Sequence, residues 1–219
     1  MASAKKTELV EIRPIELRTI KIRAVGTTPL IMHCWSDKAR KEMLDKMMKK
    51  TTTKARAAKD PVAEFIDSMY WLSGKPEDKT EEGFNAAIEG GARFGFPATA
   101  FKQAAVSAAY RKGWTKDKMT ARGAFFLRAD ENQMVEIISD PPIMREDNVK
   151  VGQGTADLRY RGEFRNWHAD LVIDYDANGT ITAEQIVNMF QAAGFVCGVG
   201  EWRPERDGQF GMFSIQPAE

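Results

Sequence analysis

Residues 198–213, GVGEWRPERDGQFGMF, set four glycines, two arginines and a tryptophan between two apolar segments. Gly198 and Gly200 permit positive φ and close backbone approach, and exposed amides at such a turn suit an anion such as phosphate. Arg203 and Arg206 add guanidinium groups, and Trp202 adds a ring. The plain structural alternative is a long connection that uses its glycines only for turning. Upstream, Arg145, Lys150, Arg159, Arg161 and Arg165 are interleaved with Tyr160, Phe164 and Trp167. That mixture supplies phosphate pairing and stacking surfaces for a single polynucleotide strand, although the same residue types also make surface ion pairs and core edges.

Catalytic chemistry is thin. The chain has two histidines. His33 follows the first apolar-periodic segment, where a general base for RNA cleavage could stand, but it has no obvious Ser, Lys or Tyr companion in sequence. His168 alternates with the core face of a strand and reads as a surface or interface residue. DYDANGTITAEQ puts Asp174, Asp176, Asn178 and Gly179 in the register of a calcium loop. Its last position is Gln185, a neutral amide that cannot give the bidentate carboxylate such a loop requires. Asn178-Gly179 read instead as a turn, and Thr182 with Gln185 as a capping box for the helix that follows. Cys34 and Cys197 are far apart and form no metal-binding cluster, which points to reduced thiols rather than zinc or a disulfide. No P-loop, GxSxG or HExxH occurs, so neither cofactor nor metal is expected and an enzyme is argued against.

The elements that must position these groups follow from periodicity. IELRTIKIRAV alternates, with Ile20, Ile22 and Ala24 on one face and Thr19, Lys21 and Arg23 on the other, the pattern of a half-buried strand with a basic outer face. Ser36 and Asp37 can cap a helix running to Met48 with Ala39, Met43 and Met47 on one side. Lys38–Lys59 is strongly basic and reads as a solvated connection or a polyanion-contacting arm. DPVAEFIDSMYWL has Pro at a first helical position and predicts a second helix. FPATAFKQAAVSAAYRK predicts a helix with a small-residue stripe, Phe101, Ala104, Ala105, Ala108 and Ala109, for close packing on a sheet. GAFFLRAD and MVEII predict a strand pair around the turn ADENQ. A long polar and basic connection, 139–166, precedes WHADLVIDY, whose Trp167, Ala169, Leu171, Ile173 and Tyr175 share one face. ITAEQIVNMFQAAGF predicts a helix and QFGMFSI a closing strand. Without its insertions the order is βαββαβ, which predicts an α+β, ferredoxin-like (RRM-like) domain: an antiparallel sheet with helices on one face and the other face open to an extended ligand.

The 219 residues suit one elaborated domain with a tail at 1–13, a basic helical insertion at 36–72 and the long connection at 139–166. With 43% hydrophobic and 29% charged residues the composition is that of an ordinary globular protein, and the net charge of +1 means that any polyanion site depends on how charge is distributed. No leader-like apolar segment or membrane span is apparent, so a cytoplasmic location is expected.

A glycine loop of this form between the second helix and the last strand of such a domain resembles the C-terminal loop of the RAMP superfamily, the repeat-associated proteins of CRISPR effector complexes. IKIRAVGTTPLIMH is similar to their first strand and its Pro-Leu turn. The chain as a whole also resembles a group of phage-encoded proteins carrying PLIMH, FPATAFKQA and GVGEWRPE. The RAMP resemblance implies that Gly198, Gly200, Gly208 and Gly211 form a nucleic-acid-contacting loop. It implies too that 139–166 takes the place of the thumb-like hairpin with which backbone subunits grip RNA and the next subunit. The expectation that follows is a non-catalytic, sequence-tolerant binder of single-stranded DNA or RNA that assembles as an oligomer or filament along the strand. The strand would lie along the sheet face near Lys21 and Arg23. Two alternatives accompany it: an RNA endonuclease using His33, and a protein-binding module that mimics a CRISPR subunit and binds a protein partner.

Overall fold

The computed structural model describes residues 14–35, 37–49, 58–151 and 155–218. The tail at 1–13 and much of the basic stretch around 50–57 lie outside the described residues. The chain is an α+β fold whose strands, among the described residues, are all paired antiparallel, in three sheets.

The largest sheet has the order β4-β8-β1-β9, formed by β1 (Leu17–Gly26), β4 (Phe125–Leu127), β8 (His168–Asp176) and β9 (Phe213–Pro217). Period-two alternation sets its two faces. Ile22, Ala24, Ala169, Leu171, Ile173 and Phe125 are buried beneath α4 (Ala98–Arg111) and α6 (Ala183–Val196), while Lys21 and Asp170 lie on the outside. The predicted stripe on α4 is the buried one: Phe101, Ala104, Ala105, Ala108 and Ala109 are all in the core. Small side chains let α4 and α6 approach each other, and Gly194 of α6 lies so close to β9 that a Cβ there would fall 1.8 Å from the Phe213 carbonyl oxygen. The capping box is present: the Thr182 hydroxyl accepts from Gln185 N, and Gln185 Oε1 accepts from Thr182 N. The Asp-rich turn before it is an ordinary turn in which the Asp176 carboxylate accepts from Asn178 N.

The smaller sheets depart from expectation. GAFFLRAD and MVEII do not pair with each other. β4 joins β8, whereas β5 (Met134–Ile137) pairs with β3 (Phe94–Pro97), a strand not foreseen in sequence. The Asp130 carboxylate accepts from Asn132 N and Met134 N, and Gln133 takes a positive φ, so the turn carries the chain out of one sheet and into another. There Phe94 packs against Trp71 and Phe164, and that aromatic contact is what holds β3 and β5. The third sheet, order β2-β7-β6, comprises β2 (Leu30–Met32), β6 (Ile143–Val151) and β7 (Thr155–Phe164). The long connection is therefore a β-hairpin, laid against β2.

Between β2 and β3 come α1 (Asp37–Met47), α2 (Pro61–Asp67) and α3 (Glu81–Glu89). α2 starts as predicted, with Pro61 in its first turn and the Asp60 side chain capping it. α1 does not bury the side that was expected to pack: Met43 and Met47 are 42% and 76% exposed. α3 and α5 (Lys118–Ala124) were not foreseen in sequence: α5 is short and polar, and α3, capped by Thr80 and setting Phe84 and Ile88 four residues apart against the core, follows directly on a polar loop.

Candidate nucleic-acid interface

The cations predicted on the open sheet face and on the hairpin are largely committed to neighbouring carboxylates. On the sheet, Arg23 forks onto Asp170 across the β1–β8 pair, Nε at 2.7 Å and Nη2 at 3.0 Å. Arg128 and Thr19 both reach Asp174, at 2.7 and 2.6 Å. Hydrogen bonds from Arg23 and from Arg128 hold the Asp170 and Asp174 carboxyls below the usual carboxylate range. This face is a neutralised ladder, and of the two cations placed there only Lys21 stands outside it, exposed to solvent. On the hairpin, Arg145 binds Asp147 and Glu163 at 2.7 and 3.0 Å, Arg161 binds Asp147 at 3.1 Å, Arg165 binds Glu163 at 2.8 Å and Arg159 binds Asp157 at 3.0 Å. Arg161, Asp147 and Glu163 are each 5% exposed, so their charges are paired inside the protein.

Two of the three rings expected to stack on bases are core residues. Phe164 is wholly buried against Phe94. Trp167 is 1% exposed; it packs on Phe101 and Phe213 and donates its indole N–H to the Thr28 carbonyl. Trp167 stands just before β8 in phase with the buried Ala169, Leu171 and Ile173, whereas Phe164 ends β7 in a run, 161–164, that is buried on both faces. Tyr160 remains half-buried at the surface and is hydrogen-bonded to Glu146, which raises its pKa. Lys150 is exposed.

The glycine loop is also built differently from an open anion nest. Gly198 N, Gly208 N and Gly211 N donate to the carbonyls of Ala193, Arg203 and Pro29. Of the four glycines only Gly200 has no backbone partner for its amide among the described residues. Gly198 and Gly200 have the expected positive φ, and Gly211 has one too, but the space the loop's glycines save is taken by the protein itself: a Cβ at Gly200 would lie 2.6 Å from Ile31 O, and one at Gly208 would lie 1.7 Å from Trp202 O. The loop is a tight knot against the β1–β2 turn, with Trp202 and Arg206 on its outer surface.

The loop and the hairpin do meet. Arg145 lies over the Phe210 ring at 4.5 Å, and Arg161 Nη2 stands 3.8 Å from Glu201 and 3.4 Å from His33 Nδ1. Around this junction run three depressions that share walls. The first, about 700 Å³, lies between α4, α5 and the single 3-10 turn Pro204–Arg206. It is lined by Lys102, Arg111, Lys118, Arg122, Arg203 and Arg206, with Glu205 the sole acid. Thr99, Gln103 and Ser107 add polar groups on its α4 wall. The second, about 210 Å³, shares Gln103, Arg203 and Glu205 with the first and follows the loop from Gly198 to Glu201. The third, about 510 Å³, shares His33 and Glu201 with the second and is bounded by Trp35 and Tyr160, by the cations Lys150, Arg159 and Arg161 and by the acids Glu64 and Asp67. Together they make one track from α5, past the glycine loop, to the hairpin.

Sequence reading missed the α4–α5 end of this track. The available signal was the ridge Thr99, Gln103, Ser107, Arg111, four residues apart along α4, a polar line at helical spacing with Lys102 beside it. Lys102 is held over the Phe126 ring at 4.1 Å, and burial pushes its ammonium below the usual lysine range.

His33 sits at the waist of the track. Burial, and then the Arg161 charge, lower its pKa, so the imidazole is neutral at pH 7. An unfolded imidazole takes up its proton near pH 6.5, while the folded one resists until lower pH. The unfolded state therefore binds more protons in that interval, and stability falls as pH drops below about 6.5 and is flat above it. Thermal melts from pH 7.5 to 5 are expected to show this slope, and His33→Gln to remove it. The lowered carboxyls of Asp67, Glu136, Asp170 and Asp174 act only further down, as pH falls through the carboxylate range.

The fold and site define an α+β protein with a cationic depression between α4, α5 and the glycine loop. No protein-family model matches the chain, and no curated protein matches it. Among solved structures it is similar to Cmr6 from Pyrococcus furiosus, at 9% sequence identity and a TM-score of 0.41, over 94% of this chain and 100% of that one. No helix among the described residues is long and apolar enough to cross a membrane.

Proposed function

We propose that the protein is a non-catalytic, sequence-tolerant binder of single-stranded nucleic acid, DNA or RNA, and that the strand runs in the α4–loop–hairpin track rather than across the open sheet face. The observation that carries this reading is the first depression, where six cationic side chains face one carboxylate, while the arginines of the sheet face and the hairpin are matched by acids. Trp35, 54% exposed, and Tyr160 offer ring faces at the other end. Stacking of that kind accepts any base. We read β1–α4–β4–β8–α6–β9 as the ferredoxin-like unit, with α1–α3 and the β6–β7 hairpin added to it. Assembly of neighbouring copies along a strand belongs to the same proposal.

The test is the affinity for homopolymeric oligonucleotides as a function of salt. About four phosphate contacts give a slope of log K against log salt near −3 for a single strand, at ~0.7 per contact. A flat response overturns the reading.

A further inference from the structure

Within the cationic groove one carboxylate stands where a ligand's anion would. Glu205 Oε2 accepts from both Nε and Nη2 of Arg203, each at 3.2 Å, and Glu205 Oε1 accepts from Arg111 Nη2 at 3.3 Å. Arg203 is anchored by its remaining fork, Nη1 to Gly200 O at 3.0 Å, and Glu205 by its own amide to Cys197 O at 3.1 Å. Two guanidiniums from different elements, the end of α4 and the glycine loop, thus converge on two oxygens of one anion. The distances exceed the 2.7–2.9 Å of well-formed charge-assisted bonds, so the carboxylate fits the clamp loosely. It also lies on the wall shared by the first two depressions, on the path of the track.

We infer that Arg111 and Arg203 form a phosphodiester subsite and that Glu205 is its internal occupant, displaced when a strand enters. The inference rests on the proposed function and deepens it. A phosphodiester presents two non-bridging oxygens, as a carboxylate does, but on a larger tetrahedral centre better matched to a guanidinium pair set this far apart. The subsite lies on the wall that the first depression, which also holds the exposed cations Arg122 and Arg206, shares with the second, so a backbone following the groove passes over it. Displacing Glu205 opposes binding, since two ion pairs must be exchanged for one phosphate and the freed carboxylate repels the strand.

The experiment measures binding of oligo(dT) and oligo(rU) to the full chain and to Glu205→Gln across a salt series. The glutamine keeps one acceptor and removes the charge. The expected result is five- to tenfold tighter binding at low salt, and a slope steeper by about 0.7, the equivalent of one more phosphate contact. Arg111→Gln in the same background should abolish that gain. Unchanged or weaker binding by a Glu205→Gln protein that melts like wild type overturns the subsite, while wild-type binding with its salt slope leaves the general function standing. Should Glu205→Gln fold poorly, Arg111→Gln alone decides: a loss of about 0.7 in slope supports the subsite, and no change in slope overturns it. Wild-type protein that binds neither oligonucleotide overturns the function itself.

Discussion

Replacing Lys118, Arg122 and Arg206 together by glutamine is expected to weaken binding of a single-stranded oligonucleotide about a hundredfold and to leave the melting temperature nearly unchanged. Arg122 and Arg206 are exposed at the groove and Lys118 is half-buried there, in cation–π reach of Tyr110 at 5.5 Å. Their removal therefore breaks no buried network. At ~1 kcal/mol for each exposed phosphate contact, the three amount to ~3 kcal/mol, or about two powers of ten. The slope of log K against log salt should fall by about two. Filter binding or fluorescence anisotropy at two salt concentrations measures both quantities. Retention of wild-type affinity places the strand elsewhere. The contrasting replacement, Lys21→Gln with Arg23→Gln on the open sheet face, should leave binding within a factor of two, because Arg23 is matched by Asp170.

That contrast explains how far the sequence could be read. Patterns within one element were legible: the alternation of β8, the alanine stripe of α4, the capping box at Thr182 and the proline that opens α2. Each is set by a period or a local hydrogen bond and needs no knowledge of the rest of the chain. Partnerships between elements were not. Arg23 and Asp170 are 147 residues apart and are joined only by the register of β1 on β8. Nothing local says that an arginine on an outer face will find an aspartate opposite. Trp167 could have been withdrawn from the stacking set, since alternation already put it on the core face of its strand. The α4 and α5 cations were hidden for the opposite reason. Lys102 and Arg111 belong to α4 and Lys118 and Arg122 to α5, and only the fold brings them to Arg203 and Arg206 of the loop. The glycine loop was found by its residues. Its inner work, packing against the β1–β2 turn, depends on neighbours that sequence does not show.

That inner work predicts the largest effect on stability. Gly211→Ala is expected to cost about 3–5 kcal/mol and lower the melting temperature by roughly 10 °C or more. Gly211 has φ +63°, a left-handed conformation that costs an L-residue about 1 kcal/mol. The added Cβ would stand 1.7 Å from the Val199 carbonyl oxygen. That atom is backbone and cannot rotate away, so the loop must move. It is pinned on both sides: Gly211 N donates to Pro29 O at 2.8 Å, and Gly211 O accepts from Val199 N at 2.9 Å. Overpacking of this kind adds ~1–3 kcal/mol, and more where hydrogen bonds break with it. The control is Gly123→Ala at the end of α5, where a Cβ meets nothing within 4 Å, and a helical alanine is neutral or stabilising by ~0.5 kcal/mol. Differential scanning calorimetry on the two variants separates a glycine required by packing from one required by a ligand. If Gly211→Ala melts like wild type and loses only its affinity for single strands, the loop's glycines contact the nucleic acid directly. If it melts early, they hold the wall against which the track is built.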